Sequence, residues 1–359
     1  MNATDGENVA RQGLDRRGFL KGAALIGVGL SLSEGVAGSE RSAVASQPAD
    51  NAGAPIPRKP FGRTQERLSV IGMGGYHVGS APSLKEAIAM VHEAVDAGIN
   101  FFDNAWEYHE GKSEEWLGKA LKGRRDRVFL MTKVCTHGRD KRVAMSQLEE
   151  SLKRLQTDHL DLWQVHECIY YNDPERHFVT GGVIEALTEA KRTGKVRYVG
   201  FTGHKDPAIH LRMLSYGYPF DSVQMPLNAF DGNFRSFEKQ VLPEVIKSGM
   251  AALGMKSLGG NGQPVLRGAV TAEEALRYAM SLPVATTISG IDSLAVLRQN
   301  LAIARGFQPM TAAEMENLRR RCVPEAGDGH LELYKSTMKY DGSVGREQHG
   351  LPSPKELPL

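Results

Sequence analysis

The sequence predicts an α/β protein that folds as a closed (β/α)8 TIM barrel. From residue 68 onward, eight short apolar runs alternate with longer segments of helical period. The starts of these runs lie roughly 24 to 38 residues apart, which is the size of one strand–helix unit. Strands that are apolar on both faces indicate a parallel sheet covered by helices, and eight such units suit a closed barrel.

The predicted strands are rich in β-branched or aromatic residues. They are LSVIGMG (68–74), NFFDNA (100–105), VFLMTKV (128–134), LDLWQVH (160–166), RYVGFTG (197–203), SVQMPLN (222–228), AALGMKS (251–257) and ATTISGI (285–291). An open doubly wound sheet is the competing fold. It would usually carry a GxGxxG turn after its first strand, and GMGGYHVG (72–79) does not supply one.

Three of the intervening helices have recognisable starts. Ser83 with Glu86, and Thr271 with Glu274, each form a capping-box pattern ahead of an apolar face. Asp206 is followed by proline, which suits an N-cap with proline at the first helical position. These signals place helices after the first, fifth and seventh strands.

Composition limits the classes of function. The 359 residues are 41% hydrophobic and 24% charged, with a formal net charge of +2, as in a soluble globular protein. This charge gives no electrostatic reason to expect nucleic acid or an acidic membrane surface as a partner. The three cysteines, Cys135, Cys168 and Cys322, lack disulfide or metal-ligand spacing, so we predict separate thiols and no metal site.

The first 45 residues are predicted to be an export signal. Arg16 and Arg17 precede an apolar run of 11 residues (22–32), well short of the ~20 that span a bilayer as a helix, and a small-residue site, AVA, follows at 43–45. The stretch RRGFLK resembles the twin-arginine signal, which implies the twin-arginine export machinery as a partner. We therefore predict a periplasmic or extracytoplasmic protein exported in folded form, with a cytoplasmic location as the alternative. Residues 46–60 are predicted to be a disordered linker, 61–320 the barrel and 321–359 a C-terminal tail.

Three consecutive predicted strands carry an ionisable residue at or near their C-terminal end, namely Asp103, Lys133 and His166. Active sites of such barrels lie at the C-terminal ends of the strands. Because a lone buried charge is very unfavourable, we expect Asp103 and Lys133 to pair across adjacent strands. Tyr108 lies on the loop after the second strand, and we expect the nearby ammonium to lower the pKa of its phenol. This set of groups suits proton transfer to a developing oxyanion.

These motifs resemble those of the aldo-keto reductases. FFDNAWEY is similar to the family's aspartate- and tyrosine-containing signature, LMTKV to its lysine strand and DLWQVH to its histidine strand. The resemblance runs from about residue 58 to residue 306. It implies NADP(H)-dependent reduction of aldehydes and ketones, with NAD(H) not excluded. It also implies a catalytic tetrad of Asp103, Tyr108, Lys133 and His166, in which Tyr108 is the general acid.

The same resemblance implies a set of cofactor-binding residues. Thr202 keeps the hydroxyl of a Ser-Asn pair that holds the nicotinamide amide, whereas Gly203 replaces the asparagine, and Gln224 matches a glutamine near the same amide. GMKSLGG is similar to the seventh-strand loop beside the ring and pyrophosphate, and ISGID with LRQN to the adenine-end loop and helix. The implied residues are Gly74, Thr202, Gln224, Met255, Lys256, Ser257, Leu258, Gly259, Ser289, Gly290, Asp292, Gln299 and Asn300.

Two further questions stay open at the level of sequence. The polar tail, 321–359, is predicted either to form a substrate loop in which Tyr334 or Tyr340 shapes the pocket, or to be a solvated extension. Two other classes compete with the reductase: a metal-dependent hydrolase on the same barrel, and a nucleotide-binding sensor or partner subunit without turnover. The first strand offers only His77 as a ligand, and hydrolases of that class usually need several.

Overall fold

The computed structural model of the chain describes residues 53–137 and 140–357. The predicted export signal (1–45) and the first part of the predicted linker lie outside the described residues. The described residues belong to one compact unit. No helix within them combines the length and the apolar character that crossing a bilayer requires.

The described residues contain ten strands, of which eight form a closed parallel barrel. They are β1 Arg58–Pro60, β2 Arg67–Ser69, β3 Ile71–Gly74, β4 Phe101–Asp103, β5 Phe129–Val134, β6 Leu160–Val165, β7 Val196–Thr202, β8 Ser222–Pro226, β9 Ala251–Met255 and β10 Thr286–Ser289. Strands β3 to β10 follow one another around the barrel in chain order, and β10 closes it by pairing with β3. The predicted (β/α)8 fold is confirmed. The observed barrel strands begin and end within two residues of the predicted runs, except at the start of β3.

Helices follow the barrel strands and cover their outer surface. The described helices are α1 Gly75–Gly79, α2 Leu84–Asp96, α3 Lys112–Leu121, α4 Lys141–Leu155, α5 Asp173–His177, α6 Val183–Arg192, α7 Pro207–Ser215, α8 Phe237–Gln240, α9 Leu242–Lys247, α10 Gln263–Leu266, α11 Ala272–Ser281, α12 Leu294–Ala304, α13 Ala312–Cys322, α14 Leu333–Ser336 and α15 Ser343–Gln348. The large core lies between these helices and the sheet, and a second, smaller cluster fills the barrel interior.

The predicted helix starts carry the expected caps. Ser83 Oγ accepts a hydrogen bond from the Glu86 backbone N–H at 3.2 Å, and Asp206 accepts one from the N–H of the second helical residue at 2.9 Å. At α11 the capping box is complete, because Thr271 and Glu274 bond each other's backbone N–H. Such caps satisfy N–H groups that have no partner within the helix, which fixes where each helix begins.

A β-hairpin closes the N-terminal end of the barrel. Strands β1 and β2 pair antiparallel. Phe61, in the turn between them, and Leu68, in β2, are fully buried against the barrel interior. The Phe61 ring lies 5.1 Å from that of Phe129, which is at the start of β5. The structure differs here from the sequence prediction: strand β1 lies within the last three residues of the predicted linker, and the predicted first strand (68–74) is divided at Val70.

The three cysteines are free and buried, as predicted. The tail is a packed part of the fold. We refer to residues 323–357 as the C-terminal segment. It carries α14 and α15, and it buries Tyr334, Lys335 and Arg346 almost completely. A solvated extension is therefore wrong, since these side chains are packed against the rest of the chain.

Candidate active site

The predicted catalytic residues meet at the C-terminal ends of the strands. Asp103 is the last residue of β4 and Lys133 the next to last of β5, and these adjacent strands place their side chains in direct contact. Lys133 Nζ forms an ion pair with Asp103 Oδ1 and donates a second hydrogen bond to the Asn104 carbonyl oxygen at 2.6 Å. Both side chains are almost fully buried. The pairing is the one predicted, and it compensates two charges that would be costly alone.

Tyr108 is held over this pair by the loop that follows β4. Lys133 Nζ lies 5.0 Å from the centre of the Tyr108 ring, and the ring of His166 packs edge-on against it at 5.6 Å. The loop is fixed to β5 because the Trp106 N–H donates to the Lys133 carbonyl oxygen at 3.1 Å. No hydrogen bond to the Tyr108 hydroxyl is found within residues 53–137 and 140–357, so this oxygen is open to a ligand.

The prediction that the pKa of Tyr108 is lowered is wrong. Burial raises the pKa of Tyr108 well above its ordinary value, and the negative charges of Asp103, Glu107 and Glu167 raise it further. Lys133 does not reverse this shift because its ammonium is already paired with Asp103. The phenol is therefore held in its protonated form at neutral pH, which is the form of a proton donor.

Two carboxylates at the site were missed by sequence reasoning. Glu107 lies directly before Tyr108, and its Oε1 contacts Nδ1 of His166. Burial tends to raise the pKa of Glu107, but His166 and then Lys133 hold it below its ordinary value. Glu107 thus remains ionised and fixes the orientation of the His166 ring. The signal that could have identified Glu107 from sequence is its position in the loop after the strand-end Asp103, next to Tyr108.

The second missed carboxylate, Glu167, directly follows His166 with a left-handed backbone (φ 59°). Its side chain is buried, and burial raises its pKa, whereas the neighbouring His166 and His137 side chains act in the opposite direction. Both carboxylate oxygens accept the N–H of Gly342 in the C-terminal segment, at 3.0 and 3.2 Å. Glu167 therefore links the barrel mouth to that segment.

The nicotinamide-side residues predicted by resemblance line the same mouth. Thr202 ends β7, Gln224 lies on β8 and Met255 ends β9. Gln224 Nε2 lies 3.4 Å from Asp103 Oδ2 and 3.6 Å from Met255 Sδ, whereas its Oε1 is buried and has no hydrogen-bond partner in the described part of the chain. A buried amide oxygen without a donor is a binding feature for a ligand N–H.

The adenine-side residues gather at the ends of β3 and β10. Ser289 ends β10 and accepts a hydrogen bond from Asn300 Nδ2 of α12 at 3.0 Å, so the structure brings these two together. Gly74 ends β3 and backs onto the Ser289 carbonyl oxygen. Of the others, Gly290 and Gln299 are exposed and Asp292 is partly exposed. Arg298 of α12, next to Gln299, is held by Glu93 of α2 through contacts of 2.8 and 3.0 Å.

The loop after β9 is covered by the C-terminal segment. Lys256 has a left-handed backbone (φ 58°), and its ammonium lies 4.8 Å from the ring centre of Tyr340 and 5.3 Å from that of Tyr334. Ser257 and Gly259 are buried and Leu258 partly so. Of the two tyrosines predicted to shape the pocket, Tyr334 is fully buried and bonded to neighbours, whereas Tyr340 is partly exposed.

The C-terminal segment contacts the loops that follow several consecutive strands. Gln348 Nε2 donates to the Cys135 carbonyl oxygen after β5 at 2.8 Å, and Lys205 after β7 donates to the Thr337 carbonyl oxygen at 2.7 Å. Tyr340 donates to the Gly260 carbonyl oxygen after β9 at 3.2 Å. Together with the Glu167 contact, these bonds place the segment across the active-site face of the barrel.

Comparison with known proteins identifies the family. The profile described as "Aldo/keto reductase family" matches residues 70–264, more than half of the chain. The chain belongs to the aldo/keto reductase family. It is 32% identical over 190 residues to "Aldo-keto reductase YhdN" of Bacillus subtilis, a match that covers 49% of this chain and 54% of that protein. It is 25% identical over 315 residues to "Uncharacterized oxidoreductase YqkF" of the same organism, covering 76% and 99%.

Solved structures agree on the fold. The aldo-keto reductase AKR11C1 from Bacillus halodurans in its holo form is 24% identical to this chain, with a TM-score of 0.63, and the match covers 74% of this chain and 96% of that one. An aldo/keto reductase from Klebsiella pneumoniae, solved in complex with NADP and acetate, is also 24% identical, with a TM-score of 0.58 and coverage of 72% and 93%. This aldo/keto reductase is accordingly an oxidoreductase by family. Neither the hydrolase nor the sensor that competed at the level of sequence receives support from these matches.

Proposed function

We propose that the protein reduces an aldehyde or ketone to the alcohol, with Tyr108 as the general acid and NADP(H) as the hydride source. The observation that carries this proposal is the group of Tyr108, Lys133, Asp103 and His166 at the barrel mouth. The phenol is protonated, its oxygen is open, and an ammonium and an imidazole flank its ring. The nearby thiols of Cys135 and Cys168 are poor nucleophiles, since they are buried and that burial raises their pKa values.

The residues present fit the cofactor that the family uses. The unpartnered Gln224 Oε1 can accept an N–H of a carboxamide, and the hydroxyl of Thr202 lies at the end of the neighbouring strand. The loop 255–259 and the paired Ser289 and Asn300 would hold the phosphate and adenine parts. When bound, the reduced nicotinamide supplies a hydride to the carbonyl carbon.

The chain's own groups then handle the proton. As the carbonyl oxygen becomes an alkoxide, Tyr108 donates its hydroxyl proton to that oxygen. The phenolate that remains lies beside the Lys133 ammonium, whose charge favours it. Glu107 contacts Nδ1 of His166, so Nε2 is the ring nitrogen left to orient the substrate oxygen. Asp103 holds the Lys133 ammonium in place throughout.

The test is Tyr108→Phe, which removes the proton while it keeps the ring and its contacts with His166. General acid catalysis contributes roughly 10²–10⁴-fold, or ~3–5 kcal/mol of barrier, so we expect turnover to fall by at least that order. NADPH oxidation with an aromatic aldehyde measures turnover, and fluorescence titration with NADPH checks that cofactor binding is nearly unchanged. A variant that keeps more than about a tenth of wild-type turnover, when chemistry limits the rate, would exclude Tyr108 as the acid.

We propose further that the protein acts outside the cytoplasm. The support is the sequence alone, namely Arg16, Arg17 and the apolar run that follows them. The twin-arginine pathway exports folded proteins, which suits an enzyme that acquires its nucleotide in the cytoplasm.

A further inference from the structure

A cluster of two histidines and one aspartate lies outside the catalytic group. His137 is in the loop after β5, Asp173 begins α5 after β6, and His349 directly follows α15 in the C-terminal segment. All three side chains are nearly or completely buried. The sequence separations are 36 and 176 residues, so no local spacing marks the cluster and sequence reasoning predicted no metal site.

The three facing atoms form a triangle of ligand size. His137 Nδ1 lies 3.2 Å from Asp173 Oδ1, His349 Nε2 lies 2.9 Å from the same oxygen, and the two nitrogens are 3.3 Å apart. In a tetrahedral zinc site with bonds of ~2.0–2.1 Å, two ligand atoms lie about 3.3 Å from each other. The three edges of the triangle are close to that value.

The surroundings orient these atoms toward one point. The other carboxylate oxygen of Asp173, Oδ2, accepts the backbone N–H groups of Ile169 and Tyr170, both at 2.9 Å, so Oδ1 is the oxygen left for the two rings. The Tyr170 ring packs on that of His349 at 4.0 Å between centres. Such outer contacts are the kind that fix metal ligands in place.

Without an ion, these three atoms hold at most two hydrogens among them. Either both imidazoles direct an N–H at the single Asp173 oxygen, with the two donor nitrogens 3.3 Å apart, or one ring donates and the other accepts across that distance. A divalent cation instead accepts the lone pairs of all three atoms. We propose that His137, Asp173 and His349 bind one divalent transition-metal ion of the zinc type, which clamps the C-terminal segment onto the barrel mouth.

The clamp follows from where the ligands are. Two of them belong to loops at the C-terminal ends of adjacent strands, and the third belongs to the segment that crosses those loops. Gly345 of α15 packs so closely on His137 that a Cβ at that position would lie 2.5 Å from Nε2. The same segment reaches Glu167 at the mouth through Gly342. An ion at the cluster would therefore fix the C-terminal segment in its position over the active-site face of the barrel.

The experiment uses the full chain, treated with a chelator, dialysed and then loaded with Zn²⁺ or Co²⁺. We expect one zinc per chain by elemental analysis after desalting, and visible absorption bands from bound Co²⁺. His349→Ala and Asp173→Asn should each weaken binding at least about 100-fold, because outer-shell changes alone cost 10–100-fold. His349 lies in the covering segment and Asp173→Asn preserves shape, so the barrel is expected to fold in both variants, which circular dichroism checks.

Two control variants separate ligand loss from other effects. Gln348→Ala removes a contact that docks the same segment but no ligand, and it should retain the ion. His330→Ala removes a partly exposed histidine beside Asp328, and it should also retain the ion. Zinc should protect the C-terminal segment from limited proteolysis in the wild type and not in His349→Ala. A wild-type protein without stoichiometric metal, binding that persists in both ligand variants, or binding without protection of the segment would overturn the proposal.

Discussion

Local packing explains why position 203 is glycine and not the asparagine of the family pattern. The resemblance places an asparagine of the nicotinamide site at this position, directly after β7. In the structure, a Cβ at Gly203 would lie 2.2 Å from the Cys168 carbonyl oxygen and 2.8 Å from the His210 ring. The Cys168 N–H in turn bonds the Thr202 carbonyl oxygen at 2.8 Å, so neither backbone can move without losing that bond. No side chain fits here.

We therefore expect Gly203→Ala to lower the free energy of unfolding by about 1–3 kcal/mol, as overpacking of a tight interior does. Gly254→Ala on β9 is the matched control, because a Cβ there meets its nearest atoms at 3.7 Å, an ordinary contact distance. It should leave stability unchanged or slightly increased, since alanine restricts the unfolded chain. Urea unfolding of the two variants measures both. Equal stability of the two would contradict the packing explanation.

The ion pair of Asp103 with Lys133 could be predicted from sequence because two strand-end charges on adjacent strands must compensate each other. The pKa of Tyr108 could not, because its direction depends on how many carboxylates surround the phenol. Two of the three that raise it, Glu107 and Glu167, lie on loops whose course a strand pattern does not define. The same limit hid the His137 cluster, whose members come from three separate segments.

Strands and capped helices were predictable because their signals are local. Apolar runs mark the barrel strands, and Ser83, Asp206 and Thr271 mark the helix starts within a few residues. The β1–β2 hairpin was missed because its first strand, RKP, is short, charged and followed by turn residues. The C-terminal segment was missed because its stability depends on distant partners. Lys335 illustrates this: its ion pair with Asp231 joins residues 104 positions apart.

The docking of the C-terminal segment is expected to depend on that buried network. Lys335 Nζ contacts Asp231 Oδ1 at 2.7 Å and Glu332 Oε2 at 3.0 Å, with all three side chains buried. Lys335→Met leaves two carboxylates without their cation, which typically costs 3–5 kcal/mol, so about that much stability should be lost. Lys339→Met, an exposed neighbour, should cost less than about 0.5 kcal/mol. Thermal unfolding with limited proteolysis of the segment checks both, and equal behaviour of the two variants would contradict the role of the network.

The barrel as a unit depends on contacts between the two ends of the described chain. Strand β10 closes the sheet on β3 by pairing Thr287 with Ile71, and the C-terminal segment then crosses the finished mouth. The predicted cofactor residues lie on strands between β3 and β10 or on the loops and the helix that follow them, so the proposed binding site is complete only when the barrel is closed. The number and spacing of the units were sufficient to predict this topology, whereas the cover depends on long-range polar contacts that the sequence pattern does not encode.

The proposed nucleotide site needs the closed barrel, so the proposed export suits the twin-arginine route, which carries folded proteins. We expect the double substitution Arg16→Lys with Arg17→Lys to leave the protein in the cytoplasm, folded and active, since both positions precede the predicted barrel, 61–320, in the sequence. Arg11→Lys with Arg41→Lys changes two other arginines of the same region and should leave export unchanged. Fractionation of a bacterium that has this pathway, with NADPH oxidation measured in each fraction, gives the distribution. Unchanged recovery of the first double variant in the periplasm would show that the paired arginines do not direct export.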